Sequence, residues 1–572
     1  MARMTGGEVV VRCLLKEGVK YVFGVPGAQL LPLTDAICKN RDRGIDFIHN
    51  RHEQASAHMA DAWARVTGQP GVCTGTVGPG ATDLVPGVAA AYVESVPMIV
   101  LTAQTQSWRS YPSHGSTQEC DQLALFSGIT KWNASVNSWD RIGELVRQAF
   151  RMALSGRPGP VHLDLPADIL FQTGELEEDA FPEPYQYRAI EGPAGNPALV
   201  EKAVELLLSA RDPLIHAGGG VLRSGAWNEL RDLAEHLGTP VTPTVGARGV
   251  LPDDHPLVFK PSGYGAIGAQ CEADVVLAIG TRFGELDGWG NPPFWGEKGT
   301  QRFIQVDCAP EMIGVNAPLE IGIAGDARTV LRQIMDLVKK TAPARKAGRL
   351  ATECRATEQA WRSEFEDLGR SDTEPIHPLR LVKEARDFFP RDSMICVDGG
   401  NIAVWATYLM DVYEPRTFLW AGDMGHLGAG LPYALAARLA CPEKQVFIIH
   451  GDGSFLFMNQ ELETARRHGL QVIDIIANDQ AYGMIKQGQL AACGGRVIGV
   501  DFYDTRCDKM AESMGCYGER IEKPGQIRPA LQRAVDSGLP AVLDVLVDKE
   551  AALNPPDFAT IVDLWLQGCE LG

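Results

Sequence analysis

Between His450 and Gly483 the chain reads HGDGSFLFMNQELETARRHGLQVIDIIANDQAYG, with a carboxylate, Asp452, set between two glycines and a polar cluster, Asn478, Asp479 and Gln480, further on. Asp452 and Asp479 stand 27 positions apart (452 to 479), with one helical run between the two strands that lead to them. A carboxylate at the carboxyl end of a strand lies where open α/β sheets bind ligands. Gly451 and Gly453 let the backbone come close to whatever is bound there. Asn478, Asp479 and the carbonyl of Ala481 are hard oxygen donors. Mg²⁺ prefers such donors and usually completes its octahedron with phosphate oxygens. Ser454 and the amides opening the next helix suit the phosphates themselves. Gly-Asp-Gly alone is also an ordinary turn, so its company decides the reading.

That company is a chain in which strands alternate with helices three times over, the pattern of doubly wound parallel sheets. We expect an α/β protein of three such domains, at 1–172, 195–342 and 374–552, with a tail at 553–572. The first ends with GPVHLDLPADIL, and a Pro- and acid-rich run separates it from the second. Strand-like runs in the second include PLIHAGGG, ADVVLAIGT and RFIQVD; in the third, SMICVDGG, KQVFIIHGDG, LQVIDIIAND and PAVLDVLVD. A chain of 572 residues with 45% hydrophobic and 22% charged residues can bury several cores. Its formal charge of -19 repels nucleic-acid phosphates and anionic membranes. The longest apolar runs fall far short of the roughly 20 residues of a membrane span. Thirteen cysteines without CxxC pairs read as reduced thiols of a cytoplasmic protein.

Gly-Asp-Gly, a helix and then Asn-Asp closely resembles the diphosphate–metal motif of thiamin-diphosphate enzymes, where the second element is usually Asn-Asn. The resemblance implies Asp452, Asp479 and the Ala481 carbonyl as Mg²⁺ ligands, with Asp479 adding a charge to the usual set. HNRHEQASAHMADAWARVTG resembles the segment that carries the family's glutamate, which makes Glu53 the group that hydrogen-bonds the aminopyrimidine and promotes the base that deprotonates C2. YVFGVPGAQLLPL, GRPGPVHLDLPADI, GVLPDDHPL and GHLGAGLPYALAA follow in family order, so the resemblance spans nearly the whole chain. It points to the acetolactate synthase, benzaldehyde lyase and 2-hydroxyacyl-CoA lyase branch. This implies a pyrimidine-binding first domain, a diphosphate-binding third domain, and a homodimer or homotetramer with active sites between subunits. Leu427 matches the apolar residue that bends the cofactor, and Asn401, Gly425, Gly453, Ser454 and Met484 fall at further cofactor positions. Gln29 and Gln118 match active-site positions, where a neutral amide can donate to a carbonyl oxygen. His426, beside Leu427, is a candidate proton shuttle because imidazole titrates near neutrality.

Members of the branch share a C2 carbanion–enamine and differ in what it expels and accepts. NDQAYGMIKQGQ resembles the acetolactate synthase segment through Met484 and Gln487, but Gly488 stands where that enzyme has a tryptophan. TRFGELDGWG keeps one of the synthase's two arginines, Arg282. The tail, PPDFATIVDLWLQG, resembles the closing segment of the lyases and could lid a larger substrate. These features favour a carbon–carbon lyase and carboligase acting on a 2-hydroxyacyl-CoA thioester or a 2-hydroxyketone, with decarboxylation and ligation of 2-keto acids as the alternative. In relatives the central domain holds the adenosine part of FAD, ADP or coenzyme A, or nothing; Gly218, Gly219, Gly220, Arg282 and Asp307 are candidate contacts. No GxGxxG with an acid about 20 residues on supports a dehydrogenase, and Glu53 argues against a catalytically silent paralogue.

Overall fold

The computed structural model describes residues 2–177, 180–297 and 299–553. The tail expected at 553–572 lies, apart from Leu553, outside these residues. Three wholly parallel sheets organise the chain. The first region contains β1 (Ala2–Thr5), β2 (Tyr21–Gly24), β3 (Asp46–His49), β4 (Gly71–Gly75), β5 (Met98–Gln104), β6 (Asn133–Ser135), β7 (Pro160–Pro166) and β8 (Thr173–Leu176). Its six-stranded sheet runs in the order 3-2-4-5-7-6, while β1 and β8 form a small antiparallel ribbon. The Pro-rich run after β8 is not a free strap at its far end: Tyr187 Oη donates to Glu17 Oε1 at 2.6 Å and Arg188 pairs with Glu17 Oε2 at 2.7 Å.

The second sheet comprises β9 (Pro213–Ala217), β10 (Val241–Pro243), β11 (Val275–Ile279), β12 (Arg302–Asp307) and β13 (Ile321–Ala324), in the order 10-9-11-12-13. The third comprises β14 (Met394–Val397), β15 (Phe418–Leu419), β16 (Val446–Gly451), β17 (Ile473–Asn478), β18 (Tyr517–Ile521) and β19 (Ala541–Leu546), in the order 15-14-16-17-19-18. Counted within each sheet, the first and third share one strand order: second, first, third, fourth, sixth, fifth. The order reverses between β2 and β4 in one and between β14 and β16 in the other. Loops leaving those strands open toward opposite faces, and the crevice between them is where such sheets take ligands.

The central strands are apolar along their whole length because helices cover both faces. All four residues of β14, the first five of β16 and all six of β17 are buried. Each Ile, Val or Leu so placed contributes about 1.5–3 kcal/mol against exposure. The chain forms two compact units, one made of residues up to Glu191 with Asp423–Glu443 and Phe457–Val472, the other of Gly192–Gly422, Lys444–Leu456 and the residues from Ile473 on. The helix expected after Gly-Asp-Gly is broken. Asp452–Met458 and Glu461–His468 are separate helices. The twelve described cysteines are free thiols, and among the described residues no helix is long and apolar enough to cross a membrane.

Candidate active site

Glu53 opens the helix Glu53–Thr67, whose N-cap His52 accepts the Gln54 N–H at 3.1 Å. Only 9% exposed, its carboxyl is raised above the ordinary glutamate range, mainly by burial and further by Asp83. That favours a protonated acid able to donate a hydrogen bond. A second carboxylate, Glu461, fixes the approach to this helix. Its Oε1 accepts the Arg51 and His52 amides at 2.9 and 3.1 Å, and its Oε2 accepts Asn50 Nδ2 at 3.2 Å and Thr464 Oγ1 at 2.7 Å. Sequence reasoning missed Glu461, because an acid in the first turn of a helix is ordinarily a solvated partner of the dipole. Here it is completely buried.

The loops at the β2/β4 reversal bring the first unit's other candidates to the same edge. Thr76 Oγ1, past β4, donates to Gln29 Oε1, past β2, at 3.0 Å. The Gly78–Gly80 turn follows. A Cβ on Gly80 would lie 2.9 Å from Glu53 Oε1, and one on Gly78 would overlap the carbonyl oxygen of Gln118. Gly78 has φ 71° and Gln118, an exposed residue, φ 66°. A left-handed glutamine is a costly backbone state that neighbouring structure must hold. The turn thus has Glu53 on one side and Gln118 on the other.

His426 packs edge-on against His58 of the Glu53 helix, with ring centroids 4.9 Å apart. His58 is fully buried and its basicity is lowered well below the ordinary range, by burial first and then by His426. Leu427 is half-buried in the connection before the helix Gly430–Ala440, after Gly425 in a left-handed turn of φ 63°.

In the second unit, β16 ends at Gly451, and Asp452 begins a helix at the β14/β16 reversal. Asp452 Oδ1 accepts the Gly453 amide at 2.9 Å. Asp479 follows β17, and the left-handed Gln480 (φ 57°) turns the chain so that the Ala481 amide donates to Asp479 Oδ1 at 3.3 Å. Asp452 and Asp479 are both buried, and both carboxyls are raised. Burial is the main cause for each, and the negative charge of Asp479 raises Asp452 further. Two like charges out of water at one sheet edge fit a divalent cation, whose charge offsets both the desolvation and the repulsion. The cradle is tight: a Cβ on Gly483 would overlap Asp479 Oδ2, and one on Gly400 would lie 2.9 Å from Met484 Cβ. Asn401 sits at the start of the helix after β14, its Nδ2 donating to the Ala551 carbonyl at 2.9 Å. Ser454 is buried in the first turn after Asp452. Asp452, Gly453, Ser454, Asp479, Ala481, Asn401 and Met484 therefore belong to one edge.

The second sheet offers less. Gly218 and Gly220 donate their amides to the Ile279 and Gly280 carbonyls at 2.9 and 3.0 Å, and a Cβ on Gly220 would sit 2.7 Å from Gly280 Cα. Close approach of the segments that follow β9 and β11 accounts for both glycines. Asp307 Oδ1 accepts the Ala309 amide at 2.8 Å and shapes the turn after β12.

Comparison with known proteins bears on the whole chain. Residues 4–125 match the N-terminal TPP binding domain of thiamine pyrophosphate enzymes, 200–334 the central domain, and 398–545 the C-terminal TPP binding domain. A probable acetolactate synthase large subunit of Methanocaldococcus jannaschii is 36% identical over 96% of this chain and 93% of its own length. The acetolactate synthase large subunit of Corynebacterium glutamicum is 32% identical over 97% and 88%, and the isozyme 3 large subunit of Escherichia coli 31% over 100% of both. With all three domains matched in order and relatives of this identity along its full length, the chain belongs to the thiamine pyrophosphate enzyme family.

Proposed function

We propose that this enzyme decarboxylates 2-keto acids and ligates the product to a second keto acid, in the manner of an acetolactate synthase. The single observation that carries the reading is full-length similarity to proteins described as acetolactate synthases. The lyase favoured by Gly488 and the tail becomes the second reading. What speaks for it is that Gly488 offers no side chain where the synthase has a tryptophan, and a Cβ there would meet nothing within 4 Å.

Asp452, Asp479 and the Ala481 carbonyl would hold Mg²⁺, with Ser454, Gly453 and Asn401 toward the diphosphate. When bound, thiamin diphosphate supplies an acidic C–H whose conjugate base attacks a carbonyl carbon and then accepts the electrons of the breaking bond. The protein's part is position and protons. Glu53, its carboxyl raised by burial, would hydrogen-bond the aminopyrimidine ring. Leu427 and Met484 would each offer an apolar side chain to the cofactor. Gln29 and Gln118 offer neutral amides to the substrate oxygen without taking its proton. His426, packed against His58 of the Glu53 helix, would serve as a proton shuttle. A central-domain nucleotide, FAD or the ADP part of coenzyme A, remains part of the proposal. The relatives' designation as large subunits makes a smaller chain a partner to look for, beside self-association into a homodimer or homotetramer.

The test is turnover of pyruvate to acetolactate with added thiamin diphosphate and Mg²⁺, run beside a 2-hydroxyacyl-CoA thioester. Acetolactate formation that falls by about 10²-fold or more in Glu53→Gln is the expected result. Thioester cleavage without acetolactate would transfer the site to the lyase reading.

A further inference from the structure

One buried carboxylate of the first sheet has no place in the chemistry above. Asp164 lies on β7 opposite Thr102 of β5, fully shielded from solvent. Four donors converge on it. Gln122 Nε2 and Thr102 Oγ1 reach Oδ1 at 2.6 and 3.3 Å; Tyr111 Oη and Gln104 Nε2 reach Oδ2 at 2.8 and 3.3 Å. The Tyr111 hydroxyl accepts from Gln104 Nε2 at 3.3 Å and from the Leu123 amide at 3.4 Å, so its single proton is left for Asp164. Burial pushes the carboxyl up to about 7.

The donors share a location. Gln104 ends β5, Gln122 begins the helix Gln122–Ser127, and Tyr111 lies in the connection between them. They therefore bracket the segment 105–121, which is also pinned by Asp168, accepting the Ser107 amide at 2.8 Å and its hydroxyl at 2.6 Å. Gln122 carries the restraint further, since its Oε1 accepts the Gly78 amide at 3.0 Å. Gly78 abuts the Gln118 backbone, and two residues on Gly80 abuts Glu53. Tyr111 and Gln118 are both left-handed, at φ 50° and 66°. Two unfavourable backbone states in one segment need an anchor outside it.

We propose that Asp164 is a positioning residue, which fastens both ends and the middle of segment 105–121 and, through Gln122 and the Gly78–Gly80 turn, presents Gln118 beside Glu53 before substrate arrives. The role rests on the reading that Gln118 faces the reacting carbon.

Amide hydrogen exchange followed by mass spectrometry, on chain loaded with thiamin diphosphate and Mg²⁺, tests it with Asp164→Ala and Tyr111→Phe. The second variant removes one hydroxyl from a side chain that is 40% exposed, so it keeps the experiment decisive where Asp164→Ala fails to fold. In both variants segment 105–121 is expected to exchange about tenfold faster or more, while the Glu53–Thr67 helix and β16–β17 stay unchanged. With pyruvate, kcat falls about tenfold or more in Asp164→Ala and about threefold in Tyr111→Phe, with KM and cofactor affinity within about twofold. Unaltered exchange of 105–121 in Tyr111→Phe, or protection lost evenly across the first sheet, overturns the proposal. If wild-type chain does not consume pyruvate yet the exchange pattern is as expected, the substrate reading fails and the positioning role stands.

Discussion

Asp164, Glu461, Asp452 and Asp479 show how much a carboxylate's meaning depends on what surrounds it. Each is nine-tenths or more shielded from solvent and each is raised by burial. Two meet arrays of donors; the other two meet each other. For Asp164 the stability consequence can be isolated. Its carboxyl moves from an ordinary 3.8 to about 7 in the fold, so burial favours the protonated acid. That contribution is complete below the ordinary value and is lost as pH rises through about 7. Asp164→Asn retains the shape without the ionisation. Urea denaturation of both chains from pH 5 to pH 8 should therefore show the variant gaining on wild type with rising pH, by a few kcal/mol at most at about 1.4 kcal/mol per unit. A constant difference across that range would mean the carboxyl does not titrate there.

At the scale of elements, the role proposed for Glu53 depends on how its helix is entered. Glu461 takes up the Arg51 and His52 amides from a different helix, and both donors lie within two residues of Glu53. Truncation by Glu461→Ala takes the acceptor from two part-buried amides and from the buried Asn50 side chain, a cost of up to roughly 1–3 kcal/mol for each group that water does not reach. The expected outcome is a lower melting temperature and a kcat reduced about tenfold or more, with Glu461→Gln recovering much of the activity because its Oε1 can still accept. Thermal melts and pyruvate turnover of the pair check this. Glu461 was not legible in the sequence, where QELETARR reads as an acidic helix start like many others. Asp164 was hidden within VHLDLP, a run with the alternation of any strand. Asp452 and Asp479 were legible because glycines and strand ends mark the edge of a sheet, and Glu53 because a family pattern surrounds it. The break at Asn459 and Gln460 was not, since both residues are tolerated in helices.

For the whole molecule, the three parallel sheets followed from alternating apolar runs, and the shared strand order of the first and third sheets gives each a ligand crevice at its own reversal point. Glu53 and Asp452 belong to different compact units. We propose that an active site takes its glutamate from one subunit and its metal carboxylates from another. Complementation tests that directly. Glu53→Gln and Asp452→Ala should each abolish turnover. In an equal mixture, unfolded and refolded together, about half the dimers pair one chain of each kind. In such a dimer one site draws intact Glu53 and intact Asp452 from opposite subunits, and the other receives both defects. About a quarter of wild-type activity is therefore expected to return if subunits assemble at random around a two-fold axis. Were each site built from a single chain, every site in the mixture would carry one defect and no activity would return.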